Sequence, residues 1–188
     1  MKSDFSNKLK WFRKKLTWNY KYLIGKWNYM GEEELRYDKI VEFIKSCEIE
    51  KVTILDLGCG YGALNRYLAS EKYEYCLGVD LSKNAISKAK KQKYKKSSFL
   101  VADIHKFIPN KKFDIIIFNE VLYYLDNQME VVEKYAKYLN DDGYFIFSFY
   151  KIRADLTQDL NKRYELLKTD IVNQSDSVYW GISLYKVK

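Results

Sequence analysis

A few acids, an amide and a set of glycines stand at intervals suited to holding a small charged ligand. Asp56 precedes Gly58, Gly60 and Gly62 in "ILDLGCGYG", Asp80 ends "GVD", Asp103 lies in "VADIH", and Asn119 and Glu120 open "NEVLYYL". Alternate glycines after an apolar run permit positive φ and bring backbone close to a ligand. As written, Gly58-Cys59-Gly60-Tyr61-Gly62-Ala63 satisfies the dinucleotide fingerprint G-x-G-x-x-G/A, and Asp80, 18 residues beyond Gly62, is about where a ribose-binding acid belongs. Asp56 separates two ligands that such a turn can serve. A carboxylate there repels a pyrophosphate and suits a cation such as the α-ammonium of a methionine moiety. Asp103 offers an acceptor to an adenine amino group, with Ile104 against the ring. Cys59 reads as a small residue of the loop, among the cofactor contacts and without a catalytic role.

Asn119, Glu120, Tyr123 and Tyr124 follow an apolar run, where a second substrate would meet the cofactor. Methyl transfer from a sulfonium is an in-line displacement, and much of its acceleration comes from holding the nucleophile about 3 Å from the methyl carbon. A hydroxyl or ammonium acceptor must also lose a proton to a base within hydrogen-bond reach. Glu120 and the single histidine, His105, are the candidates. Tyr123 or Tyr124 can face the sulfonium or the acceptor, since an aromatic face stabilises a cation by about 0.5–2 kcal/mol. Residues adjacent in a helix do not share a face, so one of the two belongs to the core.

The elements that must position these groups alternate along the chain. Apolar runs at 52–57, 75–79, 98–101, 113–118 and 144–150 are separated by helical patterns near 61–70, 82–93 and 127–139, and a further helix is expected over 153–168. Strands separated by helix-length segments predict a doubly wound α/β fold with a parallel sheet covered on both faces. The alternating segment "SVYWGISLYKVK" predicts a final strand, antiparallel at or near an edge. Ligands in such sheets sit beyond the carboxyl ends of the strands, where the quoted acids lie. Residues 31–188 are read as one domain and residues 1–30 as an appended arm.

Composition agrees with a folded, cytosolic chain: 47% hydrophobic and 31% charged residues, with 18 tyrosines. Lysines and Arg13 break up any leader-like apolar run near the start. Cys47, Cys59 and Cys76 have neither CxxC spacing nor histidine partners, which argues against a disulfide framework or a metal site. The net charge of +8 is concentrated in the arm, where eight basic residues stand against Asp4.

In the order and spacing of "ILDLGCGYG", "GVDLS", "VADIHKF", "FDIIIFNEVLYYL" and "LNDDGYFIFSFY", the chain resembles the class I S-adenosylmethionine-dependent methyltransferases. The resemblance covers most of residues 35–188. It implies a seven-stranded sheet with an antiparallel last strand, and S-adenosyl-L-methionine as cofactor. Gly58, Gly60 and Gly62 would shape the pocket at the methionine end, with Asp56 near the ammonium. Asp80 would bind the ribose hydroxyls, Leu81 and Ile104 would flank the adenine, and Asp103 would accept from its amine. "NEVLYYL" and the tryptophan-bearing last strand resemble small methyltransferases of bacterial glycan and nodulation-factor modification. A small-molecule, saccharide or nucleotide-linked acceptor is expected. The N/D-P-P-[YF] motif of many base methyltransferases is absent, which disfavours nucleic acid. A nicotinamide oxidoreductase would explain the glycines and Asp80 but leaves Asp103 idle. A non-catalytic S-adenosylmethionine-binding protein would need no reactive groups after the fourth strand.

In the arm, Phe5, Leu9, Phe12 and Leu16 recur at helical spacing with lysines between them, and Trp11, Trp18, Tyr20, Tyr22 and Trp27 follow. The expectation is a lid over the cofactor, with Trp27, Tyr29 and Arg36 near the acceptor. A membrane-surface contact through residues 1–27 is the competing use for a basic, aromatic helix.

Overall fold

The computed structural model describes residues 13, 15–26, 33–68 and 73–188. Trp27 and Tyr29 lie outside them. Seven strands form one sheet in the order β3-β2-β1-β4-β5-β7-β6: β1 (Val52–Leu57), β2 (Tyr73–Asp80), β3 (Ser97–Val101), β4 (Phe113–Asn119), β5 (Leu139–Tyr150), β6 (Tyr164–Asn173) and β7 (Tyr179–Val187). β1 to β5 run parallel, and β7 is antiparallel to both β5 and β6, between which it is inserted.

The side-chain period of two decides which residues go to which face. Ile54, Ile115, Ile117, Ile146 and Ile182 point to one side, where α2 (Glu34–Lys45) and α3 (Ala63–Leu68) bury Ile40, Phe43, Ile44, Leu64 and Leu68 on them. Their neighbours Leu55, Leu57, Ile116, Phe118, Phe145 and Phe147 point to the other. There α5 (Gln128–Ala136) and α6 (Ala154–Arg163) supply Val131, Val132, Tyr135, Leu156 and Leu160. Because both faces are covered, the central strands are apolar almost without interruption. α4 (Lys83–Lys91) packs Ile86 and Ala89 on Phe99, and Ser82 caps it by accepting from Ala85 N at 3.2 Å. Asn65 sits fully buried in α3, its Nδ2 3.7 Å from Cys76 Sγ.

The helix expected over 153–168 ends at Arg163, and Tyr164 begins β6. "YELLKTD" has apolar residues at helical spacing, but pairing with β7 from Tyr164↔Val187 onward overrides that local pattern. Leu166 and Leu167, on the edge strand, stay exposed.

Strand order reverses between β1 and β4: the chain goes outward from β1 to β2 and β3, then returns to β4 on the opposite side. The crevice beyond the carboxyl ends of β1 and β4 is the topological switch point. A helical segment, α1 (residues 15–23), lies across the loops at that end. Among the described residues no helix is long and apolar enough to cross a membrane.

Candidate functional site at the switch point

The turn from β1 into α3 is tied to β2. Gly58 N and Cys59 N donate to Val79 O at 2.8 and 3.1 Å, and Gly62 N donates to Cys59 O at 3.0 Å. The Asp80 carboxylate closes the arrangement: Oδ2 accepts from Gly60 N at 3.0 Å and Oδ1 from Ser82 N at 2.7 Å. Gly58, Gly60 and Gly62 have φ of +78°, +56° and +79°, and a Cβ on them would fall 2.6 Å from Val121, 2.7 Å from the Tyr22 hydroxyl and 2.9 Å from the Phe99 ring. The turn therefore needs glycine both for its backbone and for what is packed over it. Cys59 is buried in the same turn, its thiol pushed well up by burial and by nearby carboxylates, which leaves it a packing residue rather than a thiolate.

Asp56, next to last in β1, lies beneath this turn only 1% exposed, and its Oδ1 has no hydrogen-bond partner among the described residues. Burial, reinforced by the neighbouring Asp80, pushes its carboxyl up to about 7, with Arg36 working in the opposite sense. Burial also pushes Asp80 up to about 6, against the pull of the Ser82 and Gly60 N–H groups. A buried carboxylate oxygen without a donor marks a place where a ligand can supply one.

Beyond β4 the polar pair divides into two networks. Asn119 Oδ1 accepts from Arg36 Nη1, and the same fully buried guanidinium donates through Nε to Glu33 Oε2 at 3.0 Å. Its face lies 4.4 Å from the Tyr37 ring centroid and 5.5 Å from that of Trp180. Arg36, expected to touch the acceptor, thus sits behind the crevice and fixes Asn119. Glu120, at φ +56°, accepts from Tyr123 Oη at 2.8 Å, Ser148 Oγ at 2.9 Å and Tyr150 N at 3.0 Å. Burial raises its carboxyl above the ordinary value, and Arg36 opposes the shift. The Leu122–Tyr124 3-10 turn places the two tyrosine rings 4.4 Å apart, with Tyr123 partly buried and Tyr124 41% exposed.

The loop after β3 gathers the remaining expected residues. Asp103 Oδ1 accepts from His105 N at 3.0 Å, and His105 Nδ1 is 3.2 Å from the same oxygen. His105 Nε2 is 3.0 Å from Asp126 O. The imidazole is held between Asp103 and the loop after the 3-10 turn, so its contacts are with Asp103 rather than with Glu120 or Tyr123. Ile104 is buried and Leu81 half-buried. Tyr135 and Lys134 of α5 clamp this loop by donating to Ile104 O at 2.8 and 3.2 Å.

Two further groups of residues complete the site. α1 docks through Asn19, whose Oδ1 accepts from Ser82 Oγ at 2.9 Å and whose carbonyl accepts from Asn84 Nδ2 at 2.9 Å. Lys88 Nζ donates to Tyr22 O at 2.9 Å, the Tyr22 ring is buried against Gly60, and Trp18 meets Tyr124 edge-on at 4.9 Å. α1 therefore reaches from the β2 loops to the β4 loop. Ser148 and Arg153, from the end of β5, surround Glu120 and Tyr123. Ser148 lies within the fifth apolar run and Arg153 just after it, and nothing else in the sequence singled out either. Among the described residues no group of three or more His, Cys, Asp or Glu side chains could hold a metal ion.

A family model described as a methyltransferase domain matches residues 49–185. The malonyl-[acyl-carrier protein] O-methyltransferase 2 of Ilyobacter polytropus is 30% identical over 116 residues, 59% of this chain and 44% of that protein. The chain spans between about a quarter and about half of the length of the curated relatives it matches. The N-methyltransferase NodS of Bradyrhizobium japonicum WM9 shares the fold with a TM-score of 0.70 at 21% identity, covering 84% of this chain and 96% of that one. The magnesium protoporphyrin IX methyltransferase ChlM of Synechocystis PCC 6803, solved with bound SAM, gives 0.69 at 19%, covering 85% and 81%.

The raised carboxyl of Asp56 has a consequence for stability. The unfolded chain titrates this group near pH 3.9, and the folded chain near 7. A native state that binds the proton more tightly is at its best below the lower value and loses stability as pH rises toward the upper one. Asp56→Asn is therefore expected to be more stable than the native chain at pH 8, by roughly 1–4 kcal/mol, with the difference closing toward pH 4. Urea unfolding at the two pH values measures it, and a difference independent of pH would contradict it.

Proposed function

Because this chain belongs to the methyltransferase-domain family, we propose that it transfers the methyl group of S-adenosyl-L-methionine to a small acceptor, releasing S-adenosyl-L-homocysteine. The observation that carries the proposal is Asp56: a buried carboxylate with an unpartnered oxygen under a glycine turn is matched to an ammonium and mismatched to a pyrophosphate. In this reading the cofactor's methionine end lies on Gly58, Gly60 and Gly62, beside Cys59. Asp80 exchanges its backbone donors, in part, for the ribose hydroxyls. Asp103, steadied by His105, accepts from the adenine amine, with Leu81 and Ile104 on either side of the ring. Asn119, held by Arg36, borders the sulfonium.

The acceptor approaches over Tyr123 and Tyr124. As its oxygen or nitrogen attacks, the methyl–sulfur bond breaks and the sulfonium becomes a neutral thioether. The proton of the acceptor passes to the Tyr123 hydroxyl oxygen while Tyr123 passes its own to Glu120. Burial favours this last step, because it raises the proton affinity of the Glu120 carboxyl. The hydrogen bonds from Ser148 and Tyr150 oppose it and hold the carboxylate in place.

α1 is the lid in this account. Tyr22 covers Gly60 and Trp18 covers Tyr124, so cofactor and acceptor are both roofed by one element. Its outer side leaves Leu16, Tyr20, Leu23 and Ile24 exposed beside the exposed cations Arg13 and Lys26. That combination suits a peripheral contact with an acidic lipid surface.

Three measurements test the proposal. Calorimetry should show binding of S-adenosylmethionine and S-adenosylhomocysteine and none of NADH, and the reverse pattern would favour an oxidoreductase. With an acceptor found by tritiated-methyl transfer into metabolite and glycan extracts, Glu120→Gln and Tyr123→Phe should each lower kcat by roughly 10²–10⁴-fold while leaving cofactor affinity unchanged. Unchanged turnover in both would remove the relay. Removing residues 1–23 should weaken cofactor binding, and should abolish co-sedimentation with phosphatidylglycerol vesicles where the outer face of α1 is also a membrane contact.

A further inference from the structure

Arg153 lies three residues beyond β5, at the residue where α6 begins. Its guanidinium carbon is 4.8 Å from the centre of the Tyr123 ring, on the residue whose hydroxyl is bonded to Glu120. Its Nε is shut off from solvent and has no hydrogen-bond partner. The other guanidinium of the site shows the contrast: Arg36 is buried with Glu33 and Asn119 both bonded to it. Arg153 has no ion pair among the described residues. Glu120, the acid bonded to Tyr123, already accepts from Tyr123, Ser148 and Tyr150 through its two oxygens. A buried donor left unmade costs free energy that a ligand oxygen can return. A guanidinium offers its N–H groups as a planar fork, matched to the paired oxygens of a carboxylate or phosphate.

We propose that Arg153 receives an oxyanion of the methyl acceptor, so that the acceptor is an anionic small molecule carrying a carboxylate or a phosphate near the group to be methylated. This inference rests on the acceptor site assigned above. Arg153 acts by binding and orientation: with the anion fixed over Tyr123, the nucleophile a few bonds away is held at the Tyr123 hydroxyl, where its proton leaves. A neutral acceptor would leave the Arg153 Nε unmatched in the ternary complex. Lysine cannot replace it, because an ammonium offers no planar fork.

The Nε–Hε signal of Arg153 in a nitrogen–proton correlation spectrum, assigned by its disappearance in Arg153→Lys, reports on the site directly. The native chain is titrated with inorganic phosphate and, separately, with acetate, each with and without S-adenosylhomocysteine. The expected result is a saturable shift of that one signal: by phosphate alone for a phosphorylated acceptor, by acetate alone for a carboxylic acid, by both for a site that accepts either. Arg153→Lys should bind S-adenosylhomocysteine within twofold of the native chain, and should raise KM for the eventual acceptor at least tenfold with a smaller change in kcat. No shift with either anion, or equal shifts at Arg13, Arg66 and Arg163, overturns the proposal. Failure of the native chain to bind S-adenosylhomocysteine would instead overturn the cofactor reading, and the anion titration without it would still decide the role of Arg153.

Discussion

Two carboxylates brought together out of water constrain this structure more than any other feature. Asp56 and Asp80 lie at the carboxyl ends of neighbouring parallel strands, Asp56 opposite Gly78 in register, and both are buried, with the charge of Asp80 adding to the cost of ionising Asp56. Asp80 offsets part of that cost by accepting from Gly60 N and Ser82 N, which shapes the glycine turn and starts α4. Asp56 has no such relief at Oδ1, and Arg36 is the one cation among the described residues that lowers the energy of its charged form. A fold selected for stability alone would place an apolar residue or an amide at position 56. The acid makes sense as a half-built ion pair, completed when a cationic ligand enters.

The rest of the molecule keeps that half-built site in place and enclosed. Apolar side chains on both faces of β1, β4 and β5 hold the strand ends in register. α1 covers the site from outside, with Tyr22 over the turn and Asn19 bonded to the loop that Asp80 anchors. Excluding water strengthens every charge interaction within. It also gives the chemistry its direction. In the proposed reaction the cofactor begins as a sulfonium and ends neutral, so a roofed, low-dielectric crevice favours the product side once the acceptor is aligned.

Much of this was legible from residue types and intervals. Runs such as "VTILDL" and "FDIIIF" announce strands covered on both faces, and the acid two residues before the glycine turn is the basis for proposing a cation there rather than a phosphate. Asp80 at the end of β2 and Asp103 just beyond β3 stand where the strand pattern of the sequence puts them. What could not be read depends on contacts distant in sequence. "YELLKTD" is helical by local pattern, and only the neighbouring β7 makes it a strand. Arg36 looks like any arginine on an amphipathic helix, yet it is fully buried against Asn119. Tyr22 is one of many aromatics in the arm, and its distinction is to lie against Gly60. Arg153 gains its meaning from Tyr123, thirty positions earlier in the chain.

The central claim is that Asp56 carries the cofactor's ammonium, and the pH dependence of binding tests it most directly. Isothermal calorimetry of S-adenosylmethionine with the native chain and with Asp56→Asn, from pH 5.5 to 8 in buffers of different ionisation enthalpy, measures affinity and proton release together. With the free carboxyl titrating near 7, native affinity should fall by up to about tenfold for each pH unit below 7, and binding there should release a proton. Asp56→Asn should bind more weakly at pH 8 and show little change between pH 8 and 6.5. A native affinity flat across the range, or matched by Asp56→Asn at pH 8, would contradict the account.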